Sequence, residues 1–157
     1  MTKKIISSIL FLIFLSNCGF SPIYSGDIKK ILISKSEIVG DKNLAFDLEQ
    51  KLNFTKDEKD LNAYIFKAQI YDAIENSLLD SRGIATEELL RLTISYQFID
   101  KNGTLIYQDV IKKDKRIIVS DNLVNNTLIK NQEKKIMLDA MVQNILFKSK
   151  NKRLLKK

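Results

Sequence analysis

The chain has no histidine and no tryptophan, one cysteine, one proline and five glycines among 157 residues. Each shortage removes a class of chemistry. Without histidine or a second cysteine, His/Cys metal cages and Ser-His or Cys-His nucleophile pairs cannot be built. The single cysteine also excludes a disulfide framework. An enzyme could still rest on carboxylates or lysines, yet no spacing of these residues recommends one. The composition therefore points to a non-enzyme with no cofactor and no metal ligands. No internal repeat or low-complexity segment is present either.

What the chain does have is a leader. Lys3 and Lys4 precede a run from Ile5 to Leu15 made only of apolar residues and serines. This is a charged n-region followed by an apolar h-region. The run is too short to cross a hydrocarbon core of ~30 Å, which needs ~20 helical residues. Cys18 stands where it stops, after Leu15 at minus three and Ser16 at minus two, the pattern of a bacterial lipobox. In that reading Cys18 is acylated and becomes the first residue of the mature protein. Two alternatives are an incidental cysteine with ordinary cleavage nearby and an uncleaved anchor. Asn17 departs from the small residue usual at minus one. The absence of an Ala-x-Ala site and the shortness of the run favour the lipobox.

The sequence then divides into a leader (1–17), a lipidated tether (18–27), one domain (28–149) and a basic tail (150–157). Removing the leader leaves 140 residues, the size of one compact domain. Net charge falls from +7 to +5, because Lys3 and Lys4 leave and no acid does. Such a balance suits acidic headgroups or phosphorylated glycolipids, and equally a compositional drift toward lysine. Export removes nucleic acid from the partners.

Within the domain, Ile28–Ser34 is rich in β-branched residues and short enough for a first strand. A turn region through Gly40 follows. Asp41 is placed to cap a helix over Lys42–Asn53, where Leu44, Leu48 and Leu52 recur every four residues. Phe54–Asp60 reads as a charged linker. From Asn62 to Asn76 the period becomes two, with Tyr64, Phe66, Ala68, Ile70 and Ile74 on one face. Ser77–Gly83 is a polar connection. Leu90, Leu92, Ile94, Tyr96 and Phe98 then alternate with Arg91, Thr93, Ser95 and Gln97, the mark of a strand covered on one side and wet on the other.

Asp100-Lys101-Asn102-Gly103 supplies a hairpin turn, and Thr104–Val119 returns as the antiparallel partner. The pattern leaves Leu123–Lys130 undecided and predicts a helix from Asn131. Its core stripe is expected to be Ile129, Ile136, Ala140 and Phe147, with Met137 and Met141 beside it. Lys148–Lys157 holds six basic residues and no acid. They suit a helix C-terminus, a solvated tail or lipid phosphates. The order β-α-β-β-β-α predicts an α+β fold, two helices on one face of a four-stranded, mainly antiparallel sheet. Lys67, Gln69, Arg91, Thr93, Ser95 and Gln97 would line the opposite, polar face.

Cys18-Gly19-Phe20-Ser21-Pro22-Ile23-Tyr24 resembles the Cys-Gly-Phe start of the LPS-assembly lipoprotein family, LptE. Element order, mature length and the Leu89–Tyr107 hairpin agree with that family. The resemblance implies a non-catalytic outer-membrane lipoprotein, anchored on the periplasmic side, that plugs the lipopolysaccharide-transport β-barrel (LptD type) and assists its assembly. It also implies contact with lipopolysaccharide. Only Cys18 carries over by motif, as the lipidation site, and Gly19 beside it is compatible with outer-membrane sorting. A competing reading is a periplasm-facing lipoprotein that binds a small lipid or serves a transporter. That reading needs a pocket between helices and sheet.

Overall fold

A computed structural model describes residues 31–151. The leader, Cys18, the tether and residues 152–157 lie outside that range. Seven elements follow one another: β1 (Leu32–Gly40), α1 (Lys42–Leu52), β2 (Thr55–Lys56), β3 (Tyr64–Leu79), β4 (Ala85–Ile99), β5 (Leu105–Ile118) and α2 (Leu123–Asn151). The class is α+β, with both helices over one face of the sheet. The sheet, however, has five strands in the order β2-β1-β3-β4-β5. It is mixed rather than mainly antiparallel. β1 runs parallel to both β2 and β3, while β3, β4 and β5 form an antiparallel meander.

The parallel pair follows from α1. A parallel connection needs a long crossover, usually a helix, and α1 supplies it. Asp41 caps that helix, its Oδ1 accepting from the amides of Asn43 and Leu44 at 3.0 Å each. Asn53 closes it in the left-handed conformation (φ 43°), which asparagine tolerates better than most residues. Leu44, Leu48 and Leu52 are buried against the sheet as their spacing predicts.

The segment expected to be a turn before Gly40 is strand. A bulge between Ile33 and Lys35 reverses which parity faces the core. Ile31 and Ile33 point inward before it, and Ile38 packs on the core after it, so no continuous alternation announces the strand. β2 occupies what reads as a charged linker. Its Thr55 and Asp57 amides donate to the carbonyls of Ile31 and Ile33. Two residues are too few to show a period.

Both hairpins of the meander use one device. Asp80 Oδ1 accepts from the amides of Arg82 and Ile84, and Asp100 Oδ1 accepts from those of Asn102 and Thr104. A glycine with positive φ completes each turn, Gly83 at 77° and Gly103 at 84°. β4 is the central strand of the meander, and its Leu90, Leu92, Ile94, Tyr96 and Phe98 are all buried. Phe66, Ala68 and Ile70 join them from β3. Ile74 shares that face yet is exposed.

α2 begins at Leu123, earlier than its pattern shows, and buries a different face from the one expected. Met137, Leu138, Met141, Val142 and Ile145 point to the sheet, while Ile136 and Phe147 are exposed. Two apolar stripes compete on this helix, and the denser one, five large side chains within nine residues, faces the sheet. The first half of α2 meets the sheet through charge. Lys130 pairs with Glu88, Lys134 with Asp72, and Lys115 of β5 with Glu133 at 3.6 Å. Asn126 locks the entry to the helix. Its Oδ1 accepts from the Ser120 amide and hydroxyl, and its Nδ2 donates to the Ser120 carbonyl at 2.7 Å.

Candidate functional site

Among the described residues, no helix covers the second face of the sheet. The cross-strand register brings its side chains into rows: Lys67–Gln97–Gln108, Gln69–Ser95–Val110, Tyr71–Thr93–Lys112 and Ala73–Arg91–Asp114. β1 adds Glu37 beside Lys67 and Val39 beside Gln69. Sheet twist makes this face concave. It encloses an open hollow of about 750 Å³ lined by Glu37, Lys67, Gln69, Ser95, Gln97 and Gln108, among others.

The charges on this face largely cancel. Glu37 accepts from Lys35 at 2.6 Å and Lys67 at 3.0 Å. Those two hydrogen bonds, led by Lys35, hold its carboxyl below the usual range. Arg91 bridges Asp114 at 3.1 Å and Glu75 at 2.9 Å. Both acids, Asp114 first, raise the guanidinium above its ordinary value. What remains between these pairs is a field of side-chain amides and hydroxyls interrupted by the exposed Val39, Tyr71 and Val110. Such groups donate and accept at once, which suits a polar macromolecular surface. They hold no nucleophile beside a base. Among the described residues no cluster of three acidic, histidine or cysteine ligands could hold a metal.

All six residues that the alternation assigns to this face lie on it. Thr93 differs only in being almost fully buried there. Glu37 and Gln108 belong to the site as well, and the sequence pattern misses both. Bulges at Ile33/Lys35 and Phe98/Ile99 shift the parity of β1 and β5, so counting by twos from either end fails. Of the basic C-terminal residues, Lys148 is already engaged. Its Nζ donates to Asp109 Oδ2 at 2.7 Å, and Tyr107 donates to the same oxygen at 3.1 Å. The lipidation site Cys18 lies outside the described residues. No helix among the described residues is long and apolar enough to cross a membrane.

The space between helices and sheet is filled by Leu44, Leu48, Leu52, Met137, Leu138, Met141, Val142 and Ile145. A hollow of about 230 Å³ remains at the edge of that space, between α1 and β1, lined by Ile33, Ser36, Leu52 and Phe54 among others.

No family model and no curated relative matches the sequence. Solved structures do match the fold. Rare lipoprotein B from Shewanella oneidensis superposes with a TM-score of 0.60 at 10% identity, over 74% of this chain and 94% of that one. Lipoprotein B from Nitrosomonas europaea gives 0.60 at 15% identity, over 83% and 92%. A minor lipoprotein from Acinetobacter baumannii gives 0.52 at 22% identity, over 74% and 87%. The chain has the fold of these bacterial lipoproteins. At such identities the likeness concerns architecture alone.

Proposed function

We propose that this protein is an outer-membrane lipoprotein, acylated at Cys18 and held on the periplasmic side by residues 18–27. Its uncovered sheet face docks against the lumen wall of a lipopolysaccharide-transport β-barrel of the LptD type. There it plugs the barrel, assists its assembly and serves the insertion of lipopolysaccharide into the outer leaflet. It acts by occupancy and contact, without catalysis. The observation that carries this reading is the wide polar face that the described residues leave bare opposite two helices. Barrel interiors are polar, and a surface of paired charges and amides meets such a wall without burying unpaired groups. The lipobox at Cys18, the Cys-Gly-Phe start and the fold shared with bacterial lipoproteins support the same assignment.

The test is site-specific photocrosslinking in intact cells from Gln69 and Gln97, with Lys42 on α1 as the reference position. The expected result is one adduct with a large outer-membrane β-barrel from both sheet positions and none from Lys42. Adducts with an inner-membrane transporter, or no protein adduct from either position, would overturn the proposal.

A further inference from the structure

α2 is one continuous helix with two unlike halves. Across residues 137–149, Met137, Leu138, Met141, Val142, Ile145 and Ser149 are all buried. Across residues 123–136 only Asn126 is buried, and Ile129 adds one partly covered apolar contact with the core. Leu123, Val124 and Leu128 are 77%, 81% and 55% exposed. Burial of an apolar face is what usually holds a helix in a protein, and the first half has almost none.

The sheet changes character at the same place. On the inward face of β3, Phe66, Ala68 and Ile70 give way to Asp72 and Asn76, and on β4 Leu90 gives way to Glu88. The helix answers with Lys130 against Glu88 and Lys134 against Asp72, all four side chains being only 14–23% exposed. Ion pairs held this far from water fix the register of the helix. Their attraction is largely offset by the dehydration of both partners, so they bind less firmly than apolar packing of the same size.

Local sequence does not make up the difference. Val124, Asn125, Asn126 and Thr127 all rank low as helix formers. Thr127 turns its hydroxyl back to the Leu123 carbonyl at 3.0 Å, a bond that slightly destabilises a helix. The first turn has no acid to complement the dipole. Its support is Asn122, whose Oδ1 accepts from the Asn125 amide, and the Asn126–Ser120 bonds. A helix shorter than ~12–15 residues is marginal in water on its own.

We infer that residues 123–134 form a separate order–disorder unit, a strap that unravels from the sheet as one piece while residues 137–149 stay folded. Its release bares Asp72 and Glu88 with Leu90 and Ile117 beside them, and leaves the aromatic end of the core closed. This end of the molecule can therefore be reshaped without loss of the fold. The inference does not rest on the docking role of the open sheet face, which is the other side of the sheet.

The test is amide hydrogen exchange of the full-length protein in detergent, read residue by residue by NMR. In the wild-type chain, residues 126–134 are expected to share one exchange rate, about tenfold or more above that of residues 137–149. Lys130→Gln with Lys134→Gln speeds the first segment and leaves the second unchanged. Glu88→Leu with Lys130→Leu sets apolar packing in place of one pair, slows the first segment and narrows the gap. Equal protection of both segments in the wild-type chain overturns the inference, since α2 is then one cooperative unit. A smooth rise in protection from residue 123 to residue 145 overturns it too, because that is end fraying. So do lysine variants that speed both segments alike, or an apolar pair that leaves the first segment as fast as before.

Discussion

At the scale of single residues, Gly40 is the least replaceable position described. It sits at φ 139°, where an added Cβ would land on the Ile70 carbonyl oxygen of the neighbouring strand. Neither the conformation nor the space admits a side chain. Gly40→Ala is expected to cost more than about 2 kcal/mol, read as a shifted urea midpoint. Asp41→Ala should cost about 1 kcal/mol, because two amides of the first turn of α1 lose their acceptor. Asp109 is a pH-dependent case. The Lys148 hydrogen bond holds its carboxyl below the usual range, burial opposing in part, and the same bond raises Lys148. A lowered acid contributes fully above its unfolded pKa of ~3.9, and the contribution is lost as pH falls through the folded value. A raised lysine contributes below ~10.4, and its share is lost as pH rises through the folded value. Asp109→Asn should therefore cost about 0.5–1 kcal/mol at pH 7, after allowing for the pair's partial exposure. The difference from wild type should vanish near pH 2, as thermal melts at both pH values would show.

At the scale of elements, legibility tracked how long an uninterrupted pattern ran. The core face of β4, the Asp100–Gly103 turn and the leucine stripe of α1 are each complete in the sequence. They stand in the structure where the residues place them. The six polar residues of the open sheet face were equally legible, since they are simply the other half of two alternations. Bulges hid the rest. One extra residue in β1 and one near the start of β5 reverse parity, which concealed a strand and two members of the site. β2 owes its existence to pairing with β1 and has no local signal. The orientation of α2 was not decidable from period alone, because both of its stripes are apolar. Mutation separates them. Leu138→Ala, at a fully buried position, should cost about 2–5 kcal/mol. Ile136→Ala should leave the stability of the isolated chain within about 0.5 kcal/mol. A reversal of that order in denaturant titrations would mean that the helix buries its other side.

At the scale of the whole molecule, the domain presents two unlike surfaces on opposite sides, an amide-rich concave sheet and a helix layer. It also has a long axis. β3 spans 16 residues, about 50 Å, from the aromatic end of the core around Phe54, Phe66 and Phe98 to the Asp80 turn. The contacts under α2 change character along that axis, from apolar around Leu138 and Ile145 to ionic around Lys130 and Lys134. Apolar burial weakens on cooling, whereas the dehydration cost of ion pairs falls on heating, and salt screens the partly open pairs. Both fastenings of the helix therefore gain on warming, but only the ionic one weakens with salt. Amide hydrogen exchange should show residues 126–134 opening ahead of 137–149 when salt is raised at constant temperature. The first turns of α2 are in that sense a latch set by the ionic strength of the surroundings, while its last turns record only the solvent's aversion to hydrocarbon.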